Sequence, residues 1–228
     1  MTGMTVQQVQ PGLWRWTAPH PAWTPADAGP EGWPRDVASV YHEAPDAVVL
    51  VDPIVPDERA EADRFWHALD RDVERLGLPV RVLLTCRWHV RSAAAVRDRY
   101  GRDAVSVRGP DDRGENLEGL VDEPFEDGDE PAAGVGVVLT GAPAPDQEAV
   151  VVLERPSALV VGDLLIGGPL RPTPPSWFDR GPDGREWYAG ARVEVLERLA
   201  ALAPEMVLTA HGEPVLEGGA DALRAALA

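Results

Sequence analysis

Chemistry in this chain starts from five histidines, His20, His42, His67, His89 and His211, and a single cysteine, Cys86. Imidazole can bind a metal or carry a proton near neutral pH, so the position of each ring matters. His67 sits beside Trp66 in a helical pattern, and His20 and His42 have no partner at ligand spacing. These three are set aside. His89 and His211 each lie just beyond a run that reads as a buried strand, as do Asp52 and Asp163. In layered α/β folds, ligands meet the protein at strand ends. Cys86 alone rules out an internal disulfide, a Cys-rich zinc site and an iron–sulfur cluster built from one chain. A lone cysteine at a strand end reads first as a small buried apolar residue. All 21 cationic side chains are arginine, which removes Schiff-base lysine chemistry and the P-loop lysine. There is no Gly-x-Ser-x-Gly elbow and Ser92 has no visible base, so a serine hydrolase is not supported.

The elements that must position these residues follow from the apolar pattern. Short Val- and Leu-rich runs at 47–51, 80–85, 135–140, 149–153 and 158–161 read as buried strands, and 104–107 and 206–210 add two more. Asp57 is placed to cap a helix whose Phe65, Trp66, Leu69, Val73 and Leu76 share one face. Ser92 is placed to cap a second helix over 93–100, ended by Gly101. Val195, Leu196, Leu199 and Leu202 form a third stripe, stopped by Pro204, and 220–227 a short fourth helix. Strands and helices alternate, except that 135–161 holds three strands with no room for a helix between them. An α/β layered sandwich with an antiparallel portion follows, as one domain over 1–228.

Two segments read as irregular. A Pro- and Trp-rich arm spans about 11–37, and its 19–35 portion carries five prolines with Trp23 and Trp33. It is expected to pack on the domain or to act as a lid over a pocket. Residues 111–130 hold ten acids against one arginine, the pattern of a solvated acidic loop. The net charge of −17 repels phosphate backbones, so no nucleic-acid partner is expected. No apolar stretch reaches the length of a membrane span, and the first sixteen residues lack a signal-peptide pattern. The expectation is a cytoplasmic protein with a small-molecule substrate or ligand and no membrane partner; oligomeric state is not readable.

The ordered set LVDP (50–53), VLLT (82–85), VLTGA (138–142), VVGDLLIG (160–167) and TAHGEP (209–214) resembles the metallo-β-lactamase fold, over about residues 38–215. That resemblance implies an αββα sandwich and hydrolysis at one or two metal ions, usually zinc, held at strand ends. The family signature is His-x-His-x-Asp-His, then a later His, a bridging Asp and a final His. Aligned from Thr85, the first four positions here carry Cys86, Trp88, Val90 and Arg91, with His89 falling between ligand positions. The later His is replaced by Ala142, while Asp163 and His211 match the bridging and final positions. Zinc needs about three donors at ~2.0–2.3 Å. Trp and Val cannot coordinate, and Arg91 places a fixed positive charge where an ion should sit.

The usual dinuclear site is therefore expected to be largely lost, with no cofactor expected. The alternative is one weakly held zinc on Cys86, Asp163 and His211, which His89 joins only if the turn is displaced by a residue. Arg91 and Asp163 are expected to pair across the emptied space. Two functions follow from the resemblance. One is a divergent hydrolase of a small ester or thioester, with Asp163, His211 and Cys86 as candidate catalytic residues. The other is a catalytically inactive relative that binds a small ligand, anionic or not, through Arg87, Trp88, His89 and Arg91. The turn from Cys86 to Ser92 is also similar to the Cys-x4-Arg loop of rhodanese-type sulfurtransferases, where Cys86 would be the nucleophile. That likeness ends after about twenty residues.

Overall fold

The computed structural model describes residues 3–111, 117, 119–178 and 182–227. The expected acidic loop falls partly outside them, at 112–116 and 118. One sheet takes its strands in chain order: β1 (Thr5–Gln10), β2 (Leu13–Pro19), β3 (Asp36–Glu43), β4 (Val48–Val51), β5 (Val80–Leu83), β6 (Val105–Gly109) and β7 (Glu123–Pro124). Pairing is antiparallel up to β4 and parallel beyond it. A second sheet orders β13 (Met206–Thr209), β10 (Ala158–Val161), β9 (Ala149–Leu153) and β8 (Val135–Leu139), with only β10 and β13 parallel. A small ribbon joins β11 (Leu165–Ile166) to β12 (Arg171–Pro172). The helices are α1 (Arg59–Leu76), α2 (Ala93–Tyr100), α3 (Pro182–Ala189), α4 (Ala191–Ala201) and α5 (Gly219–Ala225).

Two-residue alternation sorts the strands into layers. Val49 and Val51 meet Val151, Leu153, Val160 and Leu208 between the sheets. Val48 and Leu50 face the opposite way, onto Phe65 and Leu69 of α1 and Val96 of α2. Val150, Leu159 and Val207 pack outward against Leu196 and Leu199 of α4 and Leu223 of α5. Two sheets thus lie face to face, with helices on both outer surfaces. None of the described helices is long and apolar enough to cross a membrane.

Several expectations shift. The cap of α1 is Glu58, one residue beyond Asp57, its carboxylate accepting from the N–H groups of Ala60 and Glu61. Ser92 flanks α2 without capping it; its hydroxyl instead accepts the Val55 N–H at 2.9 Å. The arm is not irregular throughout, because 13–19 is the fully paired strand β2. Its pattern was hidden by Arg15, which is buried at an inward position beside Leu13 where a sheet residue is ordinarily apolar. Trp14 and Trp16 are packed against the α1 side of the sheet.

Candidate functional site

Parallel pairing of β4 with β5 and of β10 with β13 brings their C-terminal ends to one edge of each sheet. Backbone ties close the two edges together. The Ala149 N–H donates to Thr85 O at 2.7 Å, Cys86 bridges Glu148, and the Ala38 N–H donates to Ala210 O at 2.8 Å. Asp52, Cys86, Asp163 and His211 therefore converge although they come from four separate strands. At Gly162 a Cβ would stand 2.4 Å from Thr85 Oγ1, so only glycine lets β10 deliver Asp163 this close to the facing turn.

The turn after β5 is a single 3₁₀ turn, Arg87–His89, and it decides which side chains enter the site. It swings His89 inward, to 4% exposure, and leaves Trp88 at the rim with 37%. His89 Nδ1 lies 2.8 Å from Asp52 Oδ2 and Nε2 lies 3.2 Å from Asp163 Oδ1. Asp52 also accepts the Thr85 N–H at 2.8 Å and the Thr85 hydroxyl at 2.6 Å. His211 Nε2 reaches the same Asp163 oxygen at 3.1 Å, and Cys86 Sγ lies 3.7 Å from the other.

The electrostatics follow from this crowding. Burial by itself would raise Asp163, but His89 and His211 outweigh it and hold the carboxyl well below its ordinary range. For His89, burial and Arg91 act downward, yet Cys86, Asp163 and Asp52 prevail and raise it well above the usual imidazole value. Burial lowers His211 and pushes the Cys86 thiol up to about 12. Glu148, buried behind Cys86, is raised well above its ordinary value, first by burial and then by Asp163.

Donor atoms of Cys86, His89 and Asp163 all lie within 4.8 Å of one another. A tetrahedral zinc with bonds of ~2.0–2.3 Å separates its donors by roughly 3.3–3.8 Å. Against that standard, the 3.2 and 3.7 Å separations of Asp163 from His89 and Cys86 suit one ion on these three groups, while His211, 3.1 Å from Asp163 Oδ1, stands beside the cluster rather than within it. The donor set fits a single metal. It does not fit a second one: Val90 packs toward the α1 side, Ala142 is buried in the α4 side, and Trp88 lies at the rim. His89, expected to stand apart from the donors, is drawn in by the 3₁₀ turn.

Arg91 behaves differently from the expected ion pair. No ion pair joins it to Asp163; its Nη1 donates to Ala38 O, Asp52 O and Ser39 Oγ at 2.5, 3.0 and 3.4 Å. The backbone at Arg91 has φ 36°, which aims the side chain at the start of β3 while His89 takes the carboxylate.

Above these groups lies a cavity of about 630 Å³, its floor formed by His89, Asp163 and His211. Its walls include His20, Trp33, Trp88, Arg91, Trp177 and Glu31. Arg87, expected among the ligand-binding residues, does not line it and instead stacks over the Trp88 ring at 4.1 Å. Trp33 and Trp177 both meet the His211 ring, at 5.9 and 5.5 Å. The arm is clasped to residues 176–177 through Glu31, which accepts the Ser176 hydroxyl at 2.6 Å and, by its carbonyl, the Trp177 indole N–H at 2.8 Å. The arm thus roofs the cavity.

Sequence reasoning passed over four contributors. His20 was set aside for want of a partner, yet it lines the cavity 5.1 Å from Trp33. Trp177 and Glu148 gave no spacing signal. Arg15 was read only as part of an irregular arm, and its Nη2 donates to Gly212 O at 2.6 Å and, more weakly, to Thr209 O at 3.4 Å, on both sides of His211. Replacing Arg15 with Met is expected to lower stability by ~1.5–3 kcal/mol, the scale of a charged hydrogen bond. Urea unfolding checks this.

No protein-family model and no curated protein sequence matches the chain. Solved structures do. The DIM-1 metallo-β-lactamase exposed to ceftazidime aligns with a TM-score of 0.66 at 11% identity, covering 99% of this chain and 97% of that one. A metallo-β-lactamase from Hirschia baltica aligns at 0.62 and 17% identity, with 99% and 97% covered. FIM-1 from Pseudomonas aeruginosa, in its mono-zinc form, aligns at 0.58 and 16% identity, again with 99% and 97% covered. With the two-sheet sandwich, its outer helices and the strand-end cluster already in place, these matches establish that the chain has the metallo-β-lactamase fold.

Proposed function

We propose that this protein is a divergent hydrolase that works with one metal ion, held by Cys86, His89 and Asp163 with His211 bracing the same carboxylate, on a small ester- or thioester-like substrate. The observation that carries the reading is the convergence of two imidazoles and a thiol on the single carboxylate of Asp163. That a protein of the same fold is described in a mono-zinc form is consistent with it. A zinc ion bound there would supply Lewis acidity.

The chain's own residues do the rest. Asp52 accepts a hydrogen bond from Nδ1–H of His89, which fixes the tautomer and leaves Nε2 facing Asp163, the arrangement of a carboxylate–histidine ligand pair. Thr85 holds Asp52 in turn. His20, lowered to about 4 chiefly by burial, is neutral at pH 7. The Ala22 N–H donates to its Nδ1 at 3.3 Å, so the ring proton sits on Nε2 as a donor for a carbonyl or a leaving group. Trp33 and Trp177 cover the His211 side of the floor.

Titration with cobalt(II) tests this reading. One equivalent should bind and give thiolate charge-transfer absorption, lost in Cys86→Ala and weakened in His211→Ala. Metal-dependent cleavage of a short thioester should follow the same variants. Cobalt absorption indifferent to both variants, or no retained metal, would overturn it.

A second reading, a catalytically inactive relative, is favoured by His89 itself. Asp52 and Asp163 flank its two ring nitrogens at 2.8 and 3.2 Å and favour its charged form, which would put a cation where the ion would be. The sulfur-transfer alternative finds little support: a nucleophilic cysteine needs a lowered pKa, whereas Cys86 is 4% exposed and pushed up. Folded protein is therefore expected to resist a thiol-specific disulfide reagent at pH 8 and to react fully once unfolded, a contrast read by absorbance.

A further inference from the structure

We propose that the molecule entering this cleft carries a carboxylate, received by Arg91, on a flat apolar body that lies beside Trp33 and Trp177. This rests on the cleft being a substrate site, as proposed above, and adds the class of substrate.

Three features single out Arg91. It lines the cavity, and its Nε and Nη2 are buried without a partner. Nη1 is engaged by two backbone carbonyls and a hydroxyl, and among the described residues no carboxylate lies within bonding distance of the guanidinium. Asp52 and Asp163 act on this charge only from beyond bonding distance while burial works against it, so an anion at the unpartnered edge adds stabilisation that the protein does not itself supply there. Nε–H and Nη2–H form one edge of the guanidinium fork, and that edge matches the two oxygens of a carboxylate. The backbone also sits at φ 36°, a region that non-glycine residues avoid unless the surroundings impose it.

Other groups leave this role open. Asp163 is engaged by His89 and His211, Asp52 by Thr85 and His89, and Glu31 by Ser176 at the rim. The remaining wall is aromatic. Trp33 and Trp177 offer faces and edges to a planar body, while the Trp88 ring is already covered by Arg87. Trp33, Trp88 and Trp177 with Glu31 would equally invite an ammonium ligand, but Arg91 in the same cavity opposes one.

Binding of 2-naphthoate, its neutral alcohol 2-naphthalenemethanol and its cationic amine 2-naphthylmethylammonium is to be measured by tryptophan fluorescence and calorimetry. Chelator-treated full-length protein is used, so that the carboxylate cannot be reading a metal, and then protein with one equivalent of zinc. Naphthoate should bind the chelator-treated protein about 10-fold or more tighter than the alcohol, the scale of a charge-assisted hydrogen-bond pair. Arg91→Gln should erase that ratio and Arg91→Lys restore part of it. If Arg91→Gln fails to fold, Trp177→Leu provides the check, weakening naphthoate and alcohol alike while leaving their ratio intact. Equal affinity for acid and alcohol, tighter binding of the amine, or no binding of naphthoate overturns the proposal. A carboxylate preference in protein that holds no metal would sink the hydrolase reading alone. Metal binding with no carboxylate preference would sink this inference alone.

Discussion

Asp163→Asn is expected to weaken zinc or cobalt binding by about 100-fold or more, above what the loss of an outer-shell partner costs. Among the described residues, the carboxylate is the group that both imidazoles and the thiol approach, at 3.2, 3.1 and 3.7 Å. Asparagine keeps its shape and removes its charge, so the donors stay in place while the anionic partner of the cation is gone. The consequence extends to the metal-free protein. His89 is raised partly by Asp163, and without that charge its imidazolium retains only Asp52 and the thiol nearby. Competition against a chromogenic chelator gives the affinity, and calorimetry gives the stoichiometry. Unchanged affinity would place the ion elsewhere, and the single-metal reading would fall with it.

Asp52→Ala is expected to be the most damaging change to stability at this edge, at about 3–5 kcal/mol. Asp52 is 2% exposed and accepts from the Thr85 N–H, the Thr85 hydroxyl and His89 Nδ1. Alanine leaves the Thr85 N–H buried without its acceptor and reduces the Thr85 hydroxyl and His89 Nδ1 to the 2.9 Å contact between them, and that desolvation is not returned by packing. It also places a residue with a Cβ but no local hydrogen bond at φ 50°. Asp52→Asn should recover a good part of the loss, since asparagine accepts through one oxygen and tolerates that backbone region. Urea unfolding of both variants makes the comparison. If Asn is as unstable as Ala, the negative charge opposite His89 is the stabilising element rather than the hydrogen-bond geometry. Both variants should bind metal less well, by roughly 10- to 100-fold, because His89 loses the partner that fixes its tautomer.

Much of the scaffold was legible along the chain because its strands are continuous apolar runs. The runs at 149–153 and 158–161 are observed as β9 and β10 at those bounds, and the others differ at their ends by a residue or two. β2 was not legible, because a buried Arg15 breaks the apolar alternation; its charge is met by carbonyls about 200 residues away in sequence, at Thr209 and Gly212. The α3 helix carries Pro182 and Gly184 and shows no clean apolar stripe; what covers it is Phe178 and the α4 side of the core.

The candidate site divides in the same way. The chain alone indicates that strand ends present Cys86, Asp163 and His211, and its resemblance to the family signature raises the expectation that Trp88, Val90, Arg91 and Ala142 stand at ligand positions they cannot serve. The strand ends follow from residue types and apolar runs alone, whereas the ligand positions follow only from the resemblance to the metallo-β-lactamase signature. The tertiary structure decided that His89 joins the cluster, that Arg91 turns to backbone carbonyls and that His20 and Trp177 close over the floor. Convergence depends on one 3₁₀ turn, on a positive φ and on backbone ties between the sheets. Spacing along a chain records periodic elements, whereas the direction of a side chain leaving a turn is set by everything packed against it.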